Sequence, residues 1–170
     1  MHLPKRVNME LQQEITTLAA QLGAILTDKR LTITTAESCT GGGISFALTD
    51  TPGSSAYINR CFVTYSNEAK HAMLDVPLSI LKDYGAVSEH TVIEMAKGAA
   101  HNAKADVAVS VSGIAGPGGG SVEKPVGLVW FAVYFEGELE AHECTFSGNR
   151  AQVRTQAIAF ALDIIIKKLK

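Results

Sequence analysis

The chain has 170 residues, 46% of them hydrophobic, with 15 basic against 17 acidic side chains and a formal net charge of -2. That length suits one domain, residues 1–170, with a full-sized core, and the charge balance lacks the basic footprint of a nucleic-acid binder. No apolar stretch is long enough to span a bilayer. The opening "MHLPKRVNMELQQEI" lacks the apolar centre of a signal peptide, so a cytoplasmic protein without a membrane partner is expected.

From Asn8 to about Lys29, apolar residues at Leu11, Ile15, Leu18, Leu22, Ile25 and Leu26 keep helical spacing with one buried stripe. "LTITT" (31–35) reads as a short strand by its β-branched content. Gly41–Leu48 reads as a helix, ended by the turn signal "TDTPGSS". "CFVTY" (61–65) is a second strand. Asn67 is placed to cap a short helix to about Leu74, and Pro77 and Gly85 bracket another. Ser88 suits the N-cap of a helix to about Ala103, with Val92, Met95, Ala96 and Ala99 on one face.

"VAVSVS" (107–112) is a third strand, apolar enough to be central. The fifteen residues after it, "GIAGPGGGSVEKPVG", form a long loop of the kind that is functional or disordered. "LVWFAVYF" (128–135) is a long buried strand. Glu136-Gly137 turns it into an antiparallel partner, "EAHECTF" (140–146). Asn149 caps a final helix with Val153, Ala157, Phe160, Ile164 and Leu169 facing inward. Strands that alternate with helices predict an α/β fold, a mixed sheet with helices on both faces.

Cys39, Cys61 and Cys144 are widely spaced, with no CxxC or Cys/His pairing, so no structural zinc site is expected and the thiols read as reduced. His2, His71, His90, His101 and His142 are scattered, and no HExxH or similar spacing occurs.

Chemistry concentrates at strand ends. In "TTAESCTGGGISF", a strand runs into a sharp turn and then a helix, at the sheet edge where α/β proteins bind ligands. Glycines there let a ligand approach the backbone, and N–H groups at a helix start favour a phosphate or an oxyanion. The pattern is neither GxGxxG, nor a P-loop, nor GxSxG. Ser38 is a nucleophile or a helix cap; Glu37 orients a cation or caps; Cys39 is a rival nucleophile or a small buried residue.

A serine nucleophile needs a base. "TYSNEAK" offers Lys70, which falls in the first helical turn if Asn67 is the N-cap. There the helix dipole disfavours its charge, and burial pushes the same way. A solvated surface lysine is the competing reading. Tyr65 is placed to bond substrate or the Ser–Lys pair, or is a core tyrosine. Ser112-Gly113 opens the glycine loop, as a donor to substrate or as part of a tight crossover. Arg150, at a helix start in "FSGNR", suits a phosphate or a structural ion pair. Together these describe a metal-free site for a small anionic molecule.

The motifs "AESCTGG", "GSSAY", "VTYSNEAK", "GAVSE", "SGIAGPGGG", "EKPVGLVWFA" and "FSGNR", in this order, resemble the C-terminal domain family of the competence/damage-inducible protein CinA, most of all its stand-alone members. The resemblance runs from about Leu11 to the C-terminus. It implies a three-layer α/β/α sandwich with a mixed, mostly parallel sheet, no metal, no organic cofactor, and a homo-oligomer. It also implies the substrate: nicotinamide mononucleotide, hydrolysed to nicotinic acid mononucleotide and ammonia. Many members carry a large extra N-terminal domain, for which this chain is too short.

The family's serine falls on Ser38 and its lysine on Lys70, with Tyr65 in the same motif. Its glycine-loop hydroxyl falls on Ser112 and its arginine on Arg150, where Asn149 replaces the usual aspartate. On this reading Ser38 attacks the carboxamide, Lys70 takes the proton, and N–H groups of Cys39 to Gly42 hold the oxyanion. Tyr65 and Ser112 position the substrate, and Arg150 meets the phosphate or a second subunit. Glu37, Thr40, Gly41, Gly42 and Gly113 complete the binding wall. Two alternatives stand beside it: a non-catalytic nucleotide-binding module, and a thiol amidase using Cys39.

Overall fold

Period-two alternation along the central strands sets the layers. In β3 (Val107–Gly113), Val107, Val109 and Val111 face one apolar cluster while Ala108 faces another. In β4 (Leu128–Phe135), Val129, Phe131 and Val133 join the first cluster and Ala132 the second. The computed structural model describes residues 5–170, with side chains from Met9 onward. His2, and most of the reading that the opening segment is no signal peptide, lie outside the described residues.

The first face is covered by α1 (Lys5–Lys29), α2 (Gly43–Thr49) and α6 (Arg150–Leu169). The second is covered by α3 (Asn67–Leu74), α4 (Leu78–Tyr84) and α5 (Glu89–Ala103). This is the expected three-layer arrangement. Small residues bring the second layer in close: Ala36, Ala108 and Ala132 of the sheet meet Ala96, Ala99 and Ala100 of α5. At Gly98 of α5 a Cβ would run into the Leu74 carbonyl, so a glycine lets α3 lie against α5.

The sheet order is β2-β1-β3-β4-β5, with β1 Ile33–Glu37, β2 Phe62–Val63 and β5 Glu138–Thr145. β1 pairs in parallel with β2 and β3, while β4 runs against both β3 and β5. Two of the four pairings are parallel and two antiparallel, so the sheet is mixed as expected but not mostly parallel: the hairpin of β4 and β5 supplies the longer ladders. No helix among the described residues is long and apolar enough to cross a membrane.

Several boundaries differ from the sequence reading: α2 starts at Gly43 rather than Gly41, β5 runs Glu138–Thr145 rather than 140–146, and three other shifts bear on the site. β1 starts at Ile33 rather than Leu31, because Thr32 is tied to Asp106 and Ile33 opens the register against Val107. That two-residue shift makes Glu37 the last strand residue. β2 shrinks to two residues, as an edge strand with a single neighbour. The cap of α3 is Ser66, whose hydroxyl accepts the Ala69 N–H, so Asn67 is the first helical residue.

Candidate active site

The carboxyl ends of β1, β2 and β3 open into a cleft of about 210 Å³. Ser38, Tyr65, Lys70, Ser112, Gly113 and Arg150 all line it, so residues far apart in sequence converge as expected. Cys39, Ala86, Val87 and Ala115 complete the lining. A larger hollow of about 530 Å³ lies at the opposite edge, around Thr32, Arg60 and Lys104, and none of the expected site residues line it.

Ser38 directly follows β1, and its N–H donates to the Val111 carbonyl, continuing the ladder to β3 by one residue. The first turns of α3 bring Lys70 over the same edge. Its Nζ lies 3.0 Å from Ser38 Oγ, 2.8 Å from the Thr64 carbonyl and 3.4 Å from the Tyr65 carbonyl. Lys70 is only 1% exposed. Burial, partly opposed by nearby Cys39, holds its amine down at about 8 against an ordinary 10.5. With Ser66 as the cap, Lys70 sits past the first turn, and desolvation rather than the helix dipole lowers its pKa.

The three neighbours of Nζ define its chemistry. Two carbonyls accept two N–H bonds in either protonation state. The third direction, toward Ser38 Oγ, is an N–H in the ammonium and a lone pair in the neutral amine. Loss of one proton therefore turns Lys70 into a base aimed at the serine hydroxyl, without disturbing its anchors. With the amine held down at about 8, a minority of it is in that form at neutral pH.

Cys39 is the contrasting group. It is buried, and burial pushes its thiol up to about 11, against its own N–H and Arg154, which pull the other way. Its thiol form is favoured at neutral pH, which disfavours the thiolate that a thiol amidase needs.

Glu37 is not in the cleft. It is fully buried, and its carboxylate closes the start of α2. Oε1 accepts from Thr40 Oγ1 at 2.6 Å and from the Ile44 N–H at 2.8 Å. Oε2 accepts from the Ser45 N–H at 3.0 Å and from Ser45 Oγ at 2.6 Å. Since Ser45 Oγ gives its one proton to Glu37, Thr35 Oγ1 donates to Ser45 across the 2.7 Å between them. The helix-start N–H groups expected to face a ligand thus face the protein's own carboxylate.

Thr40, Gly41 and Gly42 also lie outside the cleft lining. Gly41 and Gly42 take φ of 59° and 97°, two consecutive left-handed residues that β-carbons would strain. Gly43 begins α2 against Ile158, where a Cβ would collide. The glycine triplet builds the turn rather than a ligand cradle.

Of the N–H groups expected in an anion hole, that of Gly41 is spent on the Ser38 carbonyl. Those of Cys39, Thr40 and Gly42 donate to no other residue among those described. Ser112 is 1% exposed, and its hydroxyl has no hydrogen-bond partner among the described residues. Tyr65 is largely exposed at the mouth. Its carbonyl, rather than its phenol, meets the Ser–Lys pair, and its hydroxyl accepts from Arg150 Nη2 at 2.9 Å. Arg150 Nη1 holds the Gly116 carbonyl at 2.9 Å.

Sequence reasoning passed over Arg154, one turn after Arg150. Its Nε donates to the Cys39 carbonyl at 3.0 Å and Nη2 to the Thr40 carbonyl at 3.3 Å. The repeat of arginine at i and i+4 was the available signal. Ala86 and Val87 reach the cleft from the turn before α5, where Ser88 and Thr91 hydroxyls both bond the Gly85 carbonyl. Among the described residues, no group of three or more His, Cys, Asp or Glu is placed to hold a metal.

A family model for the CinA C-terminal domain matches residues 15–169. The chain belongs to the CinA C-terminal domain family. Nicotinamide-nucleotide amidohydrolase PncC of Enterobacter agglomerans is 55% identical over 152 residues, covering 89% of this chain and 93% of the relative. PncC of Escherichia coli K12 is 54% identical over 154 residues, with the same coverages. The crystal structure of competence/damage inducible protein CihA from Agrobacterium tumefaciens superposes with a TM-score of 0.90 at 45% identity, covering 92% of this chain and 96% of that one.

Proposed function

We propose that this protein is a nicotinamide-nucleotide amidohydrolase, which hydrolyses nicotinamide mononucleotide to nicotinic acid mononucleotide and ammonia. Relatives of that name, near 55% identity over most of both chains, support the activity. The observation that carries the mechanism is the buried Lys70 amine, held near 8 and 3.0 Å from Ser38 Oγ.

Ser38 Oγ attacks the carboxamide carbon, and its proton passes to Lys70 Nζ. The tetrahedral oxyanion rests on the N–H groups of Cys39 and Thr40. The C–N bond breaks as Lys70 returns the proton to the leaving nitrogen, and ammonia departs. Water then attacks the acyl–serine ester, giving its proton to Lys70, and Ser38 is regenerated as the carboxylic acid leaves. The 210 Å³ cleft is smaller than the roughly 300–1,000 Å³ of typical ligand sites. The pyridine ring and carboxamide fit inside, near the free hydroxyl of Ser112, and the ribose phosphate extends past the mouth toward Arg150 and Tyr65. Homo-oligomer formation belongs to the same reading, and sedimentation of the purified chain checks it.

The test is ammonia release from nicotinamide mononucleotide by wild type, Ser38→Ala and Lys70→Ala across pH 5.5–9.5. Both variants are expected to lose at least about 10³-fold in kcat, since nucleophile and base act as a unit. Because the neutral amine is the active form, wild-type kcat/KM rises about tenfold per pH unit below about 8 and levels above it. Nucleotide binding without ammonia release would instead select the non-catalytic module.

A further inference from the structure

Arg154 lies behind the nucleophile turn, outside the lining of the cleft, and bonds two consecutive carbonyls. In a trans peptide the C=O of one residue and the N–H of the next share a plane and point in opposite directions. Each carbonyl that Arg154 holds therefore aims an N–H.

The Cys39 carbonyl, on Arg154 Nε, sets the plane that carries the Thr40 N–H. The Thr40 carbonyl, on Arg154 Nη2, sets the plane that carries the Gly41 N–H. That N–H donates to the Ser38 carbonyl at 3.0 Å, and the Ser38 carbonyl in turn sets the plane of the Cys39 N–H. One guanidinium thus orients three successive peptide planes after Ser38. The two of these N–H groups without a partner in another residue are those of Cys39, which lines the cleft, and of Thr40, the next residue after it.

Two further features fit this arrangement. A Cβ at Gly41 would sit 3.3 Å from Arg154 Nη2, so the glycine leaves room for the guanidinium as well as supplying its left-handed φ. Gly43 also donates to the Thr40 carbonyl, which adds a second restraint on the same plane. Arg150, one turn earlier on α6, holds the glycine loop and Tyr65, so one helix face anchors both walls of the cleft.

We propose that Arg154 is a positioning residue for the hydrolysis: by anchoring the Cys39 and Thr40 carbonyls, it holds their N–H groups where the oxyanion forms. The inference rests on the Ser38 amidase reading. It predicts a loss that appears in the transition state and not in ground-state binding. A lysine, with one compact charge in place of a rigid fork, does not bridge both carbonyls.

The experiment compares Arg154→Ala and Arg154→Lys with wild type by kcat, KM and binding of two probes. One probe is the carboxylate product. The other is the nucleotide bearing an aldehyde in place of the carboxamide. Ser38 Oγ adds reversibly to the aldehyde carbon and its proton passes to Lys70, so the bound adduct carries the same oxyanion without turnover. Both variants are expected to lose on the order of 10²-fold in kcat and in aldehyde affinity, the loss typical of a removed oxyanion donor. KM and product affinity stay within about threefold, and millimolar guanidinium restores part of the Arg154→Ala rate while ammonium does not.

Equal loss for product and aldehyde would overturn the proposal in favour of a binding or purely structural role. Wild-type kcat in both variants would overturn it outright. A collapsed melting transition in Arg154→Ala leaves the decision to Arg154→Lys. A wild type that forms no adduct with the aldehyde would instead sink the Ser38 reading, and this inference with it.

Discussion

Two glycine-rich turns meet at the cleft, and they are built in opposite ways. The turn from Ser38 to Gly43 is tied down from inside, by Glu37 on the α2 side and by Arg154 on the α6 side. The loop after β3 is exposed from Pro117 to Glu123, with Val122 almost fully in solvent. It is fastened at separate points: Ile114 and Gly127 to each other and to β4, Gly116 to Arg150, and Lys124 Nζ to the Tyr84 carbonyl at 2.6 Å. The difference follows their tasks. On the proposed mechanism the first turn carries a nucleophile and an oxyanion hole, which need fixed geometry, whereas a covering wall needs only to exclude water around the substrate.

The largest expected effect tests whether the first turn is as dependent on its interior as that contrast implies. Glu37→Ala leaves the buried Ile44 N–H and Thr40 hydroxyl, and the half-buried Ser45 N–H, without an acceptor. Each unsatisfied group costs about 1–3 kcal/mol, so a loss of at least about 3 kcal/mol and roughly 10 °C in Tm is expected, with activity abolished. Glu37→Gln keeps one acceptor oxygen and is expected to lose less. Thermal melts beside Ser121→Ala, a loop change, give the reference. If Glu37→Ala melts no lower than Ser121→Ala, the turn is not held by its carboxylate.

Glu37 also marks what the sequence conceals. "AESCTGGG" announces a strand-end turn, and Ser38, Lys70, Ser112 and Arg150 are legible because each sits where a strand hands over to a loop or helix. Their convergence follows from parallel strands sharing one carboxyl edge. Capping the helix was one of the two readings of Glu37, and it is the one found; which N–H groups it meets is not legible, since that depends on β1 ending two residues later than its β-branched content suggests. That shift came from Asp106 and Val107, more than seventy residues away in the chain. Arg154 was hidden for a related reason: a second arginine on an amphipathic helix reads as surface until the turn it reaches is in place. The glycines were read as space for a ligand, while two of them serve left-handed backbone and the third a helix contact.

The glycines offer a finer comparison. Gly42→Ala forces φ near +97° on a residue with a β-carbon and is expected to cost about 1–2 kcal/mol. Gly118, in the exposed loop, has no positive φ and nothing within 4 Å of where its Cβ would stand. Gly118→Ala is therefore expected to be neutral, or to gain up to about 1 kcal/mol by restricting the unfolded chain. Urea titration of both variants gives the two free energies. Equal losses would mean that the loop is as constrained as the turn.

The smallest effect concerns a side-chain tether between the glycine loop and the Ala86–Val87 wall. Lys124 Nζ donates to the Tyr84 carbonyl, one residue before Gly85, and the Gly85 turn carries Ala86 and Val87 into the cleft. The bond lies at the surface, so Lys124→Ala is expected to cost under about 1 kcal/mol in stability. The loop and wall then separate more readily. Because Glu37 and Arg154, rather than this tether, hold the turn after Ser38, the proposed mechanism expects kcat to stay near wild type while KM rises a few-fold. Faster amide hydrogen exchange over residues 114–127, with unchanged exchange in α2, is the matching physical readout. A fall in kcat with constant KM would tie the loop to the nucleophile turn and end the division of labour between them.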